Sequence, residues 1–198
     1  MEDGKITTRQ AASLPFVEQT VYHGRPADET GRLLKEIRTY DILDKLKIPF
    51  TRVDHQEIAT VEACGELDKL LKSPLCKNLF LCNSQKTRFY LLMMPGRKRF
   101  ITKEFCRQIG SPRLSFAPEE YMVKYLDITP GSVSVLGLAN DTKKQVQLVI
   151  DRDILQGETV GCHPCINTSS LCIAMKDLLE KFLPYVEHDY IEVDLPWE

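Results

Sequence analysis

Apolar and polar positions follow two different periods along this chain, and the switches between them outline its elements. From Glu29 to Lys47 the apolar residues Leu33, Leu34, Ile37, Tyr40, Ile42, Leu43 and Leu46 recur at helical spacing and end at Ile48-Pro49, which predicts a helix. Phe50–Asp54 reads as a short strand. Thr60–Leu71 reads as a second helix, with Thr60 placed to cap it and Glu62 in its first turn. The texture then changes. Lys77–Cys82 and Arg88–Met94 are short apolar runs around the polar loop Asn83-Ser84-Gln85-Lys86-Thr87, the pattern of a β-hairpin closed by Pro95-Gly96. Thr102–Ile109 predicts a helix capped by Thr102, and Pro118–Leu126 another with Pro118 in its first turn.

Beyond the turn Thr129-Pro130-Gly131, Val133, Val135 and Leu136 lead to Gly137, and a polar loop at 140–144 precedes the strand Val146–Ile150. Thr159–Cys162 and Ser169–Ala174 read as strands flanking the loop around Gly161-Cys162-His163-Pro164. Met175–Phe182 is a short helix expected to stop before Pro184, and Ile191–Leu195 a closing edge strand. Residues 1–28 lack periodicity and contain Pro15, Gly24 and Pro26, so an N-terminal extension is expected ahead of one domain at 29–198. Strands in runs, interspersed with helices, predict a mixed-sheet α/β or α+β domain rather than a doubly wound one.

Composition narrows this picture modestly. A chain of 198 residues suits one domain with a real core. Its longest apolar run, Phe89–Met94, is far short of the ~20 residues that cross a bilayer. Residues 1–25 hold no apolar stretch like a secretory signal, which argues against export. Seven cysteines form an odd, irregularly spaced set, several among leucines, as expected for reduced thiols in a cytoplasm. The net charge is only −2, but it is unevenly spread. Eight basic residues (Lys86, Arg88, Arg97, Lys98, Arg99, Lys103, Arg107, Arg113) stand against one acid, Glu104, between 86 and 113. Such a stretch suits a phosphate-facing patch; the alternative is that the charges scatter over several faces.

Among motifs, Cys162-His163-Pro164-Cys165 has the C-x-x-C spacing of a redox pair. A thioredoxin-like site needs a helix after the first thiol, however, and Ile166–Ile173 looks like loop and strand. Zinc would need a fourth ligand that no second Cys or His pair supplies. No phosphate-binding glycine loop, dinucleotide fingerprint or G-x-S-x-G elbow is present. Taken alone, Lys77 could simply snorkel from an apolar strand, and His163 could be an ordinary loop hydrogen-bonder.

A set of segments taken in order changes that balance: Lys77-Asn78-Leu79-Phe80-Leu81, Tyr90-Leu91-Leu92, Arg113-Leu114-Ser115-Phe116-Ala117, 126–133 and Gly161-Cys162-His163-Pro164-Cys165-Ile166-Asn167-Thr168. Together they resemble the YbaK/prolyl-tRNA synthetase-associated editing-domain family over roughly residues 30–195. The branch they most resemble is the free-standing PrdX/ProXp-ala type of Ala-tRNA(Pro) deacylase, and Tyr22-His23-Gly24-Arg25-Pro26 is similar to that branch's lead-in.

The resemblance implies a single compact α/β domain with a mixed, barrel-like β-sheet and surrounding helices. It implies hydrolysis of alanine wrongly esterified to tRNA(Pro), with Lys77 as the catalytic lysine and Asn78 and His163 at neighbouring pocket positions. His55 and Thr60 match an upstream H-x-x-x-x-T element. Gly131, Ser132 and Ser134 fall in the place of the family's G-x-x-x-P loop, where Val135 replaces the proline and puts the loop's rigidity in question. Lys86, Arg97, Lys98 and Arg99 are expected to meet tRNA. The implied partner is the acceptor end of aminoacylated tRNA(Pro), with prolyl-tRNA synthetase as a second candidate; no cofactor, metal or membrane is implied, and the location is cytoplasmic. Two alternatives stay open: a deacylase for Cys-tRNA(Pro) or another small amino acid, and a non-catalytic module that binds tRNA or a partner.

The chemistry suits such residues. An aminoacyl ester is already activated, so the task is to hold the terminal adenosine, orient water and stabilise an oxyanion, for which no Ser/His/Asp set is needed.

Overall fold

A computed structural model describes residues 16–57 and 61–197. In chain order its first half comprises β1 (Tyr22–His23), α1 (Leu34–Lys45), β2 (Phe50–Asp54), α2 (Val61–Leu71), β3 (Cys76–Asn83), β4 (Phe89–Pro95) and α3 (Thr102–Gln108). The second half comprises β5 (Leu114–Phe116), α4 (Glu119–Leu126), a 3-10 turn at Val135–Asn140, β6 (Val146–Asp151), α5 (Arg152–Leu155), β7 (Thr159–Cys162), β8 (Ser169–Ala174), a last helical run and β9 (Tyr190–Val193).

The strands make two sheets. One has the order β1-β2-β8-β7 and is antiparallel throughout; the other has the order β5-β3-β4-β6-β9 and is mixed, with β4, β6 and β9 parallel. This is the expected mixed α/β class. β4 explains the arrangement: Phe89–Met94 is buried at six consecutive positions, so both its faces must be covered. Phe89, Leu91 and Met93 face the core shared by the two sheets, beside Phe50, Leu171, Ile173 and α1's Tyr40 and Leu43. Tyr90, Leu92 and Met94 face an outer cluster under α3, with Phe105, Val193 and Leu195. A third cluster, Val53, Leu67 and Leu71, fixes α2 to the outer face of the first sheet.

Several elements differ from expectation for identifiable reasons. Thr102 is the first helical residue of α3, and its hydroxyl makes no capping bond; Ile101 holds the cap position. The last helix runs on through Pro184, as Met175–Asp177, a π-turn at Leu178–Phe182 and Leu183–Tyr185. The wide turn opens the ladder where a proline ring and its missing N–H would otherwise break an i→i−4 bond. In the stretch expected as an extension, Val17 is buried and bridges His55, and β1 pairs with β2.

The two sheets meet at one seam. Thr159 Oγ1 donates to Ser73 Oγ at 3.0 Å, and two residues on Leu75 forms a parallel bridge to Gly161. The Leu75 N–H is held by Asp68 Oδ1 at 2.7 Å. A Cβ on Gly161 would lie 2.8 Å from Leu75 Cδ2 and 3.1 Å from both Leu75 Cα and the Pro74 carbonyl oxygen. Backbone cannot yield as a side-chain tip can, so only glycine permits this approach. Gly161→Ala is therefore expected to cost about 1–3 kcal/mol by overpacking. At about 2–4 °C per kcal/mol for a chain of this size, thermal denaturation will show it; an unchanged midpoint would mean the seam has slack.

Candidate active site

The seam aligns the site. Two residues beyond the 75/161 bridge, and of the same parity, stand Lys77 in β3 and His163 just past the end of β7. The ladder continues across the first sheet: Gly161 pairs with Cys172, Cys162 with Leu171, and Val53 with Ser170. His55, just past β2, Ser170 of β8 and His163, just past β7, thus form a contacting row on the outer face of the first sheet, and strand parity from the Leu75–Gly161 bridge puts Lys77 of β3 on the same side.

Asn78 does not join it. Side chains alternate along a strand, and Asn78 pairs with Met93 of the inter-sheet core whereas Lys77 pairs with Met94 of the outer cluster. Asn78 Nδ2 donates to the Cys76 carbonyl at 3.3 Å, and its Oδ1 is buried with no partner among the described residues. Lys77 is half-buried, its Nζ donating to the Lys98 carbonyl at 2.8 Å, and burial pulls its pKa below the ordinary lysine value.

The two histidines sit with ring centroids 6.0 Å apart. His55 Nδ1 donates to the Gln56 carbonyl at 2.8 Å, and its Nε2 lies 2.9 Å from Ser170 Oγ. His163 Nδ1 donates to the Ser169 carbonyl at 2.9 Å. Burial lowers both pKa values, that of His163 to about 4, so both rings are neutral at physiological pH. A ring with that value is a poor base near pH 7, but as a neutral imidazole it keeps one bare nitrogen that accepts a hydrogen bond. Thr60 lies outside the described residues.

The loop at 131–135 approaches the His163 loop at Gly131. Gly131 has φ +86°, and a Cβ there would come within 2.8 Å of Asn167 Nδ2. The two serines are occupied with the loop itself. Ser132 Oγ donates to the Thr129 carbonyl at 2.8 Å, and Ser134 Oγ accepts the Leu136 N–H at 3.2 Å as cap of the 3-10 turn. Val135 is fully buried in the inter-sheet core, so packing supplies the rigidity that a proline ring would have supplied.

The expected tRNA-facing residues separate. Lys86 is exposed in the β3–β4 loop, and Arg97 and Arg99 are exposed at the opposite end of that hairpin. Lys98 is a correction: it is 1% exposed, with Nζ 2.9 Å from Asp151 Oδ1 and 3.0 Å from Asp153 Oδ2. Burial opposes its charge, but the two carboxylates outweigh that and raise its pKa, and Trp197 covers it with its ring centroid 5.1 Å away. An ammonium so committed cannot reach a phosphate. Cys162 and Cys165 are both buried, and burial raises both thiols, Cys165 to about 11, so neither is poised as a thiolate. Among the described residues no group of three or more His, Cys, Asp or Glu could hold a metal ion, and no helix is long and apolar enough to cross a membrane.

The sequence reading missed Ser170. Its only signal was a polar residue on a strand, which says nothing until the topology sets it between two histidines.

Two facing sheets, one antiparallel and one mixed, with helices around them define the fold. It is shared, at TM-score 0.59 and 15% identity, with a crystal structure described as a candidate trans-editing enzyme for prolyl tRNA synthetase, over 83% of this chain and 99% of that one. Residues 55–181 match the family model for the aminoacyl-tRNA editing domain. The prolyl-tRNA editing protein ProX of Acetoanaerobium sticklandii is 33% identical over 136 residues, 69% of this chain and 83% of its own. Prolyl-tRNA synthetase associated domain-containing protein 1 of Danio rerio is 32% identical over 175 residues, 87% and 93% of the two chains. The chain belongs to the aminoacyl-tRNA editing domain family and is an aminoacyl-tRNA deacylase, an ester hydrolase.

Two outcomes follow from the electrostatics. Lys98→Met leaves Asp151 an uncompensated buried charge and should cost about 3–5 kcal/mol in a urea melt; full stability with weakened tRNA binding would restore the surface role. His163 is neutral in both folded and unfolded chains above pH 6.5, so its contribution is complete there. As pH falls from 6.5 to about 4 the unfolded chain takes the proton first, and stability is lost, by at most roughly 3 kcal/mol. Urea denaturation at several pH values, against His163→Gln, checks this; equal slopes in both proteins would refute it.

Proposed function

We propose that this chain is a trans-editing enzyme that hydrolyses Ala-tRNA(Pro). The observation that carries the proposal is the Leu75–Gly161 bridge, whose parity favours Lys77 and His163 on one side, in a chain with relatives named for prolyl-tRNA editing. Lys77 keeps donors beyond the one on the Lys98 carbonyl, and its partly desolvated ammonium suits a terminal phosphate or the ester carbonyl as negative charge develops. Water attacks the carbonyl carbon and gives up a proton, the tetrahedral oxyanion collapses, and the bond to the ribose oxygen breaks; that oxygen takes up the proton the water released, leaving free alanine and intact tRNA. Neutral His163 accepts a hydrogen bond from the substrate and thereby orients it. The Gly131 backbone, close against Asn167 of the His163 loop, is the proposed second wall of the pocket.

Alanine is the expected substrate because prolyl activation rejects a smaller side chain by only ~1–3 kcal/mol per missing methylene, and a second, smaller site removes the error. Prolyl-tRNA synthetase is the proposed source of the mischarged tRNA, and exposed Arg97 and Arg99, with Lys86, are proposed phosphate contacts.

Deacylation of Ala-tRNA(Pro) by the wild type and by Lys77→Ala tests the reading. The variant should lose on the order of 100-fold or more in kcat. No hydrolysis by the wild type would overturn the assignment, and equal rates on Cys-tRNA(Pro) would overturn the choice of alanine.

A further inference from the structure

Ser170 has no task in the scheme above, yet it holds the histidines together. It lies on β8, is 0% exposed, and places its hydroxyl 2.9 Å from His55 Nε2 and 3.4 Å from His163 Nδ1. The direction of each bond follows from the neighbouring carbonyls. Both Nδ1 atoms face a carbonyl, Gln56 for His55 and Ser169 for His163; a carbonyl can only accept, so both Nδ1 atoms carry the proton. His55 Nε2 is then a bare acceptor and takes the Ser170 O–H. That turns the Ser170 lone pairs toward the His163 N–H, which is shared between the Ser169 carbonyl and Ser170 Oγ. His163 Nε2 is left as a lone pair.

A nucleophilic role for Ser170 does not fit, although a Ser–His contact of 2.9 Å suggests one. Its hydroxyl is fully buried, and a nucleophile must reach the ester carbon. What the contact can do is link the two rings and hold their orientation. We propose that Ser170 is a positioning residue that ties His55 and His163 into one unit. The Ser169 carbonyl sets the Nδ1–H tautomer of His163, and Ser170, by bridging to His55, holds the ring's orientation, so that Nε2 is presented as an acceptor to a hydrogen-bond donor of the aminoacyl-adenosine end of the tRNA. The substrate half of this statement rests on the deacylase reading; the bridging half does not.

The test uses the full chain with nitrogen-15-labelled histidine at neutral pH, together with deacylation kinetics on Ala-tRNA(Pro). In the wild type, His163 should show a protonated Nδ1 and an unprotonated Nε2; the opposite tautomer would overturn the proposal without any variant. Ser170→Ala should keep the tautomers of both rings but remove the hydrogen bond at His55 Nε2, read as a change in its nitrogen-15 shift, and lower kcat about 10- to 100-fold with little change in KM. Ser170→Thr, which keeps the hydroxyl, should restore the His55 Nε2 shift and most of the rate. A folded Ser170→Ala with the wild-type His55 Nε2 shift and rate would overturn the proposal. A wild type with the expected tautomer but no activity on any mischarged tRNA would sink the deacylase reading and leave the tautomer assignment standing.

Discussion

Between Leu75 and Gly161 two strands from different sheets come so close that one of them can carry no side chain. That approach does more than join two layers. By parity it puts Lys77 and His163 on the same side, and the antiparallel ladder from β7 through β8 to β2 carries that parity on to Ser170 and His55. Residues more than a hundred positions apart in the chain become a row because the side-chain period of a strand is two. A slip of one residue at the seam would move Lys77 to the inter-sheet face and dissolve the row.

The row's electrostatics are equally constrained. Burial keeps both histidines uncharged, which makes Lys77 the cation of the four. Its one described hydrogen bond goes to the carbonyl of Lys98, a residue pinned by Asp151, Asp153 and the ring of Trp197. The ion pair beneath the second sheet therefore anchors the acceptor that holds the lysine above it. A residue expected to bind tRNA instead acts through its backbone.

The strands and most helices were legible from periodicity, as β7, β8 and the β3–β4 hairpin show to within a residue or so. Elements set by long-range contacts were not. Nothing near Lys98 betrays its carboxylate partners more than fifty residues away, and nothing near Pro184 announces the π-turn that accommodates it. The pairing of Lys77 with Asn78 shows the opposite failing. Adjacent residues on a strand point to opposite faces, a rule readable in the sequence, yet a resemblance that names them together suggested one shared pocket.

The 131–135 loop owes its shape to Val135 in the core and Ser134 at the cap, not to a ring that stiffens the chain by itself. A proline restricts its backbone even in an unfolded chain, whereas a buried valine restricts it only while the core exists. The loop's order is thus borrowed from the domain's cooperative unit. Its backbone amides should exchange with solvent deuterium by global opening rather than by local fluctuation, and conditions that soften the core will loosen the wall of the site at the same time.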